Sequence, residues 1–162
     1  MELYEVVNKR RSLPERTRNA MPELPEVETI RRVLEPQVSG MKITAVTANR
    51  PEVVAHPTAE EFCQALTGQT IHAMTRRGKF LRVLLDSGDY FALHLRMTGC
   101  LLLTPAGYPA KKHTHIVFHL SSGDELRFSD TRRFGRFWLF RKGESDTYSG
   151  INKHPVPPGL RT

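Results

Sequence analysis

The residues whose types and spacing could do chemistry begin at Met21-Pro22-Glu23-Leu24-Pro25-Glu26-Val27-Glu28. A Met followed by Pro reads as a chain start, and removal of that Met would leave Pro22 with a free secondary amine. An α-amino group titrates near about 7.7–8.0 against about 10.4 for lysine, so roughly a tenth of such amines are unprotonated at neutral pH. An unprotonated terminal Pro attacks an aldehyde-like carbon and forms an iminium, which serves as an electron sink. Glu23 and Glu26 beside it would then move protons during elimination from the adduct. The plainer alternative has Pro25 opening a helix whose N-terminal dipole the glutamates complement, and spacing leaves both readings open. As numbered, Pro22 is internal and its nitrogen is a non-nucleophilic amide. The chemistry therefore requires either a start at Met21 or removal of residues 1–21.

A second stretch, Arg76-Arg77-Gly78-Lys79, sets a Gly-preceded lysine after two arginines. That is a good clamp for an anion such as phosphate; the alternative is a solvated strand edge whose charges discourage pairing. The chain as a whole is basic, with 24 Lys and Arg against 17 Asp and Glu in 162 residues and a formal charge of +7. Such a balance favours a polyanionic partner, nucleic acid above all. Cys63 and Cys100 form neither a Cys-x-x-Cys pair nor a disulfide framework, which fits a reducing cytosolic compartment. The sequence holds no apolar run of about 18 residues that would span a membrane. Its first 20 residues mix Lys9, Arg10, Arg11, Arg16 and Arg18 with Glu2, Glu5 and Glu15 and lack the apolar core of a secretory signal.

The elements that must position these groups follow from periodicity. Residues 1–20 read as a flexible leader, not translated or removed; 21–142 as one domain; and 143–162, rich in Pro and Gly, as an irregular tail. A helix is expected over 25–34, its stripe formed by Val27, Ile30, Val33 and Leu34, ended by Pro36 and Gly40. A strand follows over 42–48, then a second helix capped by Thr58 with Glu61 three residues on and closed by Gly68. Strand-like runs recur over 70–77, 80–86, 90–95, 100–104, 115–120, 125–129 and 136–140, separated by Gly-containing turns. The expected fold class is α+β, mainly β: an antiparallel β-sandwich of about eight strands flanked by two helices.

PELPEVE, Pro22 to Glu28, resembles the N-terminal signature of formamidopyrimidine-DNA glycosylase. The resemblance continues through Arg76-Arg77-Gly78-Lys79-Phe80-Leu81, His94-Leu95-Arg96-Met97-Thr98-Gly99, Lys112-His113-Thr114-His115 and Asp130-Thr131-Arg132-Arg133-Phe134-Gly135, in family order. The related endonuclease VIII branch typically has Gly where this chain has Leu24. The resemblance implies a base-excision repair enzyme that removes oxidised purines such as 8-oxoguanine and formamidopyrimidines, then cleaves the sugar by β,δ-elimination. By the same resemblance Pro22 is the Schiff-base nucleophile, Glu23 protonates the opening sugar, Glu26 supports the site, and Lys79 contacts phosphate beside the lesion. His94 and His113 correspond to residues near the DNA backbone, with a satisfied structural histidine as the equal alternative.

Met97, Arg132 and Phe134 resemble the side chains that fill the gap left by a flipped nucleotide. An apolar wedge plus a cation can replace lost stacking and pairing, whereas the alternative places Met97 and Phe134 in the core. Arg133 contacts phosphate or the surroundings of the orphaned base, and the sequence leaves both open. The implied partner is double-stranded damaged DNA, bound by a monomer in a cytoplasmic, nucleoid-associated setting of bacterial type. No cofactor is expected in this chain. The family's structural zinc belongs to a C-terminal finger which, like the helix-two-turn-helix domain, is missing here, so weak duplex binding is expected. Two other readings remain at this point: a catalytically silent, truncated DNA-binding remnant, and a tautomerase-like enzyme using terminal Pro as a base, which leaves Lys79, Arg132 and Phe134 unexplained.

Overall fold

The computed structural model describes residues 23–95, 98–132 and 135–143, and of residues 23–26 the backbone alone. The expected leader, the tail beyond Gly143, and the expected site residues Pro22, Met97, Arg133 and Phe134 lie outside the described residues. In chain order the elements are α1 (Glu23–Val38), β1 (Ile43–Ala48), a 3-10 turn (Pro51–Val53), β2 (Val54–His56), α2 (Ala59–Leu66), β3 (Ile71–Arg77) and β4 (Phe80–Leu85). There follow β5 (Tyr90–His94), β6 (Gly99–Pro105), β7 (Thr114–Leu120), β8 (Asp124–Asp130) and β9 (Arg136–Phe140). The strands form a four-stranded sheet ordered β1-β7-β8-β6 and a five-stranded sheet ordered β2-β9-β5-β4-β3. The class is α+β, mainly β, with two helices on a two-sheet sandwich, as the periodicity implies.

Aromatic rings join the sheets. Phe91 of β5 stacks on Phe118 of β7 with centroids 5.1 Å apart, and Phe137 of β9 meets Phe128 of β8 edge-on, also at 5.1 Å. Phe62 of α2 enters the same cluster, 5.7 Å from Phe91 and 5.8 Å from Phe137. The apolar face of α2 thus closes one side of the sandwich, and its start is fixed by Thr58, whose hydroxyl accepts the Glu61 amide at 3.1 Å. Alternate residues Phe80, Ala92, Trp138 and Phe140 form a second buried cluster on the opposite face of the five-stranded sheet. Both faces of that sheet are therefore apolar, which is why β9 reads as a continuous hydrophobic run rather than an alternation.

Three expectations need correction. Helix α1 does not end at Pro36 but runs to Val38, with Pro36 inside its last turn. Pro36 is exposed while Leu34 and Val38 are fully buried, and the Ser39 amide still reaches the Glu35 carbonyl at 3.0 Å. Burial on the far side of the helix thus outweighs the one backbone bond that proline forgoes, and Gly40, at φ +84°, is the actual stop. The helix also begins at Glu23 rather than at Pro25. The third correction is a ninth strand: β2 is three residues long and pairs in parallel with β9, Val54 opposite Phe137. Too short to show a period, it is recruited by the edge of β9.

The other edge of that sheet, β3, is covered by α1. The Glu35 carboxylate accepts the Met74 backbone amide at 3.0 Å, and Glu28 accepts Arg76 Nε at 3.1 Å. The helix thereby satisfies an otherwise unpaired strand edge and is held along β3 at two levels.

Phe62→Ala should lower unfolding stability by about 3–5 kcal/mol in urea titration, because Phe62 is fully buried between both sheets; a loss under about 1 kcal/mol would mean that α2 is not part of the core. Glu28 is held well below the usual carboxylate range, chiefly by its hydrogen bond to Arg31, then by Arg32 and Arg76 against the opposing effect of burial. A depressed folded-state value means stability that is present above the unfolded value and is lost as pH falls. Between about pH 5 and pH 2 the Glu28→Gln variant should therefore lose stability less steeply than the parent chain. Parallel slopes in denaturant titrations across that window would refute the linkage.

Candidate functional site

Three connections pass from one sheet to the other, the first of them residues 49–53, which lead through the 3-10 turn from β1 to β2. Residues 95–98 lead from β5 to β6, and residues 131–135 lead from β8 to β9. These last two leave the sandwich at the same end, because His94 is registered with Arg136 and Gly99 with Asp130. Packing at the ends of both is close. A Cβ on Gly99 would stand 2.2 Å from the carbonyl oxygen of Leu95 in the same connection, and one on Gly135 would stand 2.4 Å from the Phe128 ring and 3.1 Å from the His94 carbonyl oxygen. These close approaches, backbone at Gly99 and chiefly a ring at Gly135, require glycine without any unusual φ.

Asp130 lies where these two connections meet and is 1 % exposed. Its Oδ1 accepts the Thr98 hydroxyl and the Arg132 amide, the latter at 3.1 Å, and its Oδ2 accepts the Gly135 amide at 2.8 Å. Its backbone carbonyl is 2.6 Å from His115 Nε2, and its amide donates to the His113 carbonyl at 3.0 Å. A buried carboxylate is tolerated only when hydrogen bonds replace its lost hydration, and here donors from both connections do so.

A third loop joins them from the side. Gly78, at φ +60°, and Lys79 form the two-residue turn between β3 and β4. Arg76 steadies it, donating from Nη1 to the Gly78 carbonyl at 2.9 Å and from Nε to Glu28 on α1. Glu28 also accepts from Arg31 and Arg32, so the first half of α1 is anchored beside the Lys79 turn. The helix begins at Glu23, one residue after Pro22.

The expected site residues that the structure describes therefore gather at one end of the sandwich. Lys79 is exposed at its turn. His94 is registered opposite Phe80, the residue after Lys79, and packs edge-on against its ring at 4.8 Å with 5 % of its surface exposed. Arg132 is exposed on the β8–β9 connection. His113 is half-buried and, with Thr98, Lys111, Lys112 and Thr131, rims a small pocket of about 150 Å³. Of Glu23 and Glu26 the backbone places both in the first turn of α1. A larger groove of about 400 Å³, lined by His56, Glu61, Gln64, Leu139 and Arg141, contains none of the expected residues.

Cations dominate this end. Arg76, Arg77, Lys79, Lys111, Lys112 and Arg132 lie on its loops or strand ends, while Glu28 and Asp130 are engaged by hydrogen bonds within the fold. Such an end attracts a polyanion. Sequence reasoning passed over Asp130, Thr98 and Glu28. The available signal was an acidic residue closing an apolar strand just before a basic Gly-ended loop, and that signal alone does not say which donors the carboxylate meets.

Residues 21–137 match the family model described as the formamidopyrimidine-DNA glycosylase N-terminal domain. The chain is 50% identical over 144 residues to formamidopyrimidine-DNA glycosylase of Moorella thermoacetica, covering 86% of this chain and 52% of the relative. It is 44% identical over 138 residues to that of Pelotomaculum thermopropionicum, covering 85% of this chain and 50% of the relative. The chain thus spans about half the length of the curated relatives it matches. Among solved structures it resembles Lactococcus lactis Fpg in complex with FAPY-dG-containing DNA, at TM-score 0.69 and 37% identity over 72% of this chain and 43% of that one. A similar match, TM-score 0.69 and 37% identity over 74% and 45% of the two chains, is to Lactococcus lactis formamidopyrimidine-DNA glycosylase non-covalently bound to DNA containing an AP site. With its fold, its loop motifs and the domain match in agreement, the chain belongs to the formamidopyrimidine-DNA glycosylase family.

Proposed function

We propose that this chain carries the catalytic part of a base-excision repair enzyme, a bifunctional DNA glycosylase and abasic-site lyase acting on oxidised purines in double-stranded DNA. The observation that carries this reading is the gathering of Lys79, His94, His113 and Arg132 at the one end of the sandwich where the β5–β6 and β8–β9 connections meet, with the first half of α1 anchored beside the Lys79 turn. DNA lies across that end, with Lys79 on a phosphate beside the lesion and His113 near the backbone. Met97 and Phe134 enter the stack as wedges, and Arg132 takes the place of the extruded nucleotide. Arg133 faces the phosphates or the orphaned base.

In this reading the Pro22 amine attacks C1′ of the extruded nucleoside, the damaged base leaves, and Glu23 protonates the ring oxygen as the sugar opens to an iminium. Loss of a C2′ proton into that electron sink expels the 3′ phosphate, and a second elimination expels the 5′ phosphate. Glu26 supports the first turn of the helix from which Pro22 and Glu23 act. The chemistry requires no metal or redox group. It does require Pro22 to be terminal.

Borohydride reduction with an abasic-site duplex, applied to two forms of the chain beginning at Met1 and at Met21, tests this directly. Covalent trapping only by the form that exposes Pro22 is the expected outcome. Trapping by neither form would overturn the catalytic reading and leave a DNA-binding module without chemistry. Lys79→Ala should weaken duplex binding and reduce the slope of log affinity against log salt by about 1, read by fluorescence anisotropy; an unchanged slope would remove Lys79 from the phosphate contacts.

A further inference from the structure

We propose that Asp130 is a positioning residue that locks the β5–β6 and β8–β9 connections into one register by holding Thr98, Arg132 and Gly135 together, in support of the DNA-contacting roles proposed for residues 97, 132 and 134. This rests on the role assigned above to those three residues. The geometry is specific to the carboxylate. Three donors converge on it, the Thr98 hydroxyl from the first connection and the Arg132 and Gly135 amides from the second, and the side chain is 1 % exposed. Met97 immediately precedes Thr98, while Arg132 and Phe134 lie between Asp130 and Gly135. The residues that would enter the DNA therefore flank the atoms that Asp130 holds.

A carboxylate only accepts, so its two oxygens can serve all three donors at once. An asparagine in its place offers one accepting oxygen and turns an NH2 group toward backbone amides that need an acceptor. The glycines restrict the alternatives. A Cβ on Gly99 would meet the Leu95 carbonyl of its own connection and one on Gly135 the Phe128 ring and the His94 carbonyl, so each connection is closely packed where it joins a strand and has little room to shift toward a lost hydrogen bond. Stiffness is what the task demands, since separating a base from its stack carries a free-energy cost and a yielding loop would be displaced instead of the base.

The test compares Asp130→Asn and Thr98→Val with the parent chain. Thr98 is only partly buried, so its variant removes the link to the first connection while sparing the core. Amide hydrogen exchange should quicken about tenfold in both connections in Asp130→Asn, as expected for loss of a hydrogen bond to a charged group. Exchange in β7 and β8 should be unchanged. Opening of a duplex, followed by 2-aminopurine placed opposite an abasic analogue, should slow about tenfold relative to elimination on single-stranded abasic DNA, which has no partner strand to open. Thr98→Val should show a smaller loss of the same kind, and the double variant should be no worse than Asp130→Asn alone, because both break one network.

Faster exchange confined to residues 131–135 would make Asp130 a cap for its own loop and overturn the proposal. Equal slowing on duplex and single strand, or additive losses in the double variant, would overturn it as well. A parent chain that opens no duplex would instead sink the functional reading, and with it the purpose assigned to the clasp, whereas the exchange result bears on the clasp alone.

Discussion

The constraint on which the site depends is the crossing of the β5–β6 and β8–β9 connections between sheets at one end of a closely packed sandwich. The sheets are held together by Phe62, Phe91, Phe118, Phe128 and Phe137, whose rings meet at 5.1–6.2 Å. That separation fixes how far each connection must reach, and the registers His94–Arg136 and Gly99–Asp130 make the two run side by side. Packing where they join the strands tolerates no Cβ at Gly99 or Gly135, and the backbone there must have its amides satisfied locally. One buried carboxylate and two glycines meet both requirements. The described ends of both loops, Thr98, Arg132 and Gly135, are thereby held to one point of the frame.

Electrostatics then divides the work among similar residues. Glu28 takes up hydrogen bonds from Arg31, Arg32 and Arg76, which fastens helix to sheet. Exposed Lys79 and Arg132 stand on the loops beyond that network. An inward carboxylate beneath outward cations gives the described residues of this end a positive face. The same arrangement sets the first turn of α1 close to the Lys79 turn, so the start of a helix and a hairpin distant in sequence share one site.

Most of the fold was legible because its signals are local. The Thr58 cap with Glu61 marked α2, and Gly-containing turns separated the long strands to within one or two residues. What escaped was decided by tertiary contact: β2 exists because β9 offers an edge, and α1 passes Pro36 because Val38 is buried beyond it. For the site, motifs put forward exposed Lys79 and Arg132, half-buried His113 and buried His94 as candidates. They did not identify Asp130, Thr98 or Glu28, whose importance lies in which donors they meet rather than in their type. Pro22, Met97, Arg133 and Phe134, legible as motif members, lie outside the described residues.

The central claim is that the nucleophile is the amine of Pro22 and not a lysine of the basic end. The most direct measurement is tryptic peptide mapping by mass spectrometry of the borohydride-reduced DNA adduct formed by the chain that begins at Pro22. The account predicts the sugar remnant on the peptide spanning residues 22–31, fragmenting with the added mass on its first residue. A remnant on Lys79, Lys111 or Lys112 would contradict it and move the chemistry from the start of α1 to the loops.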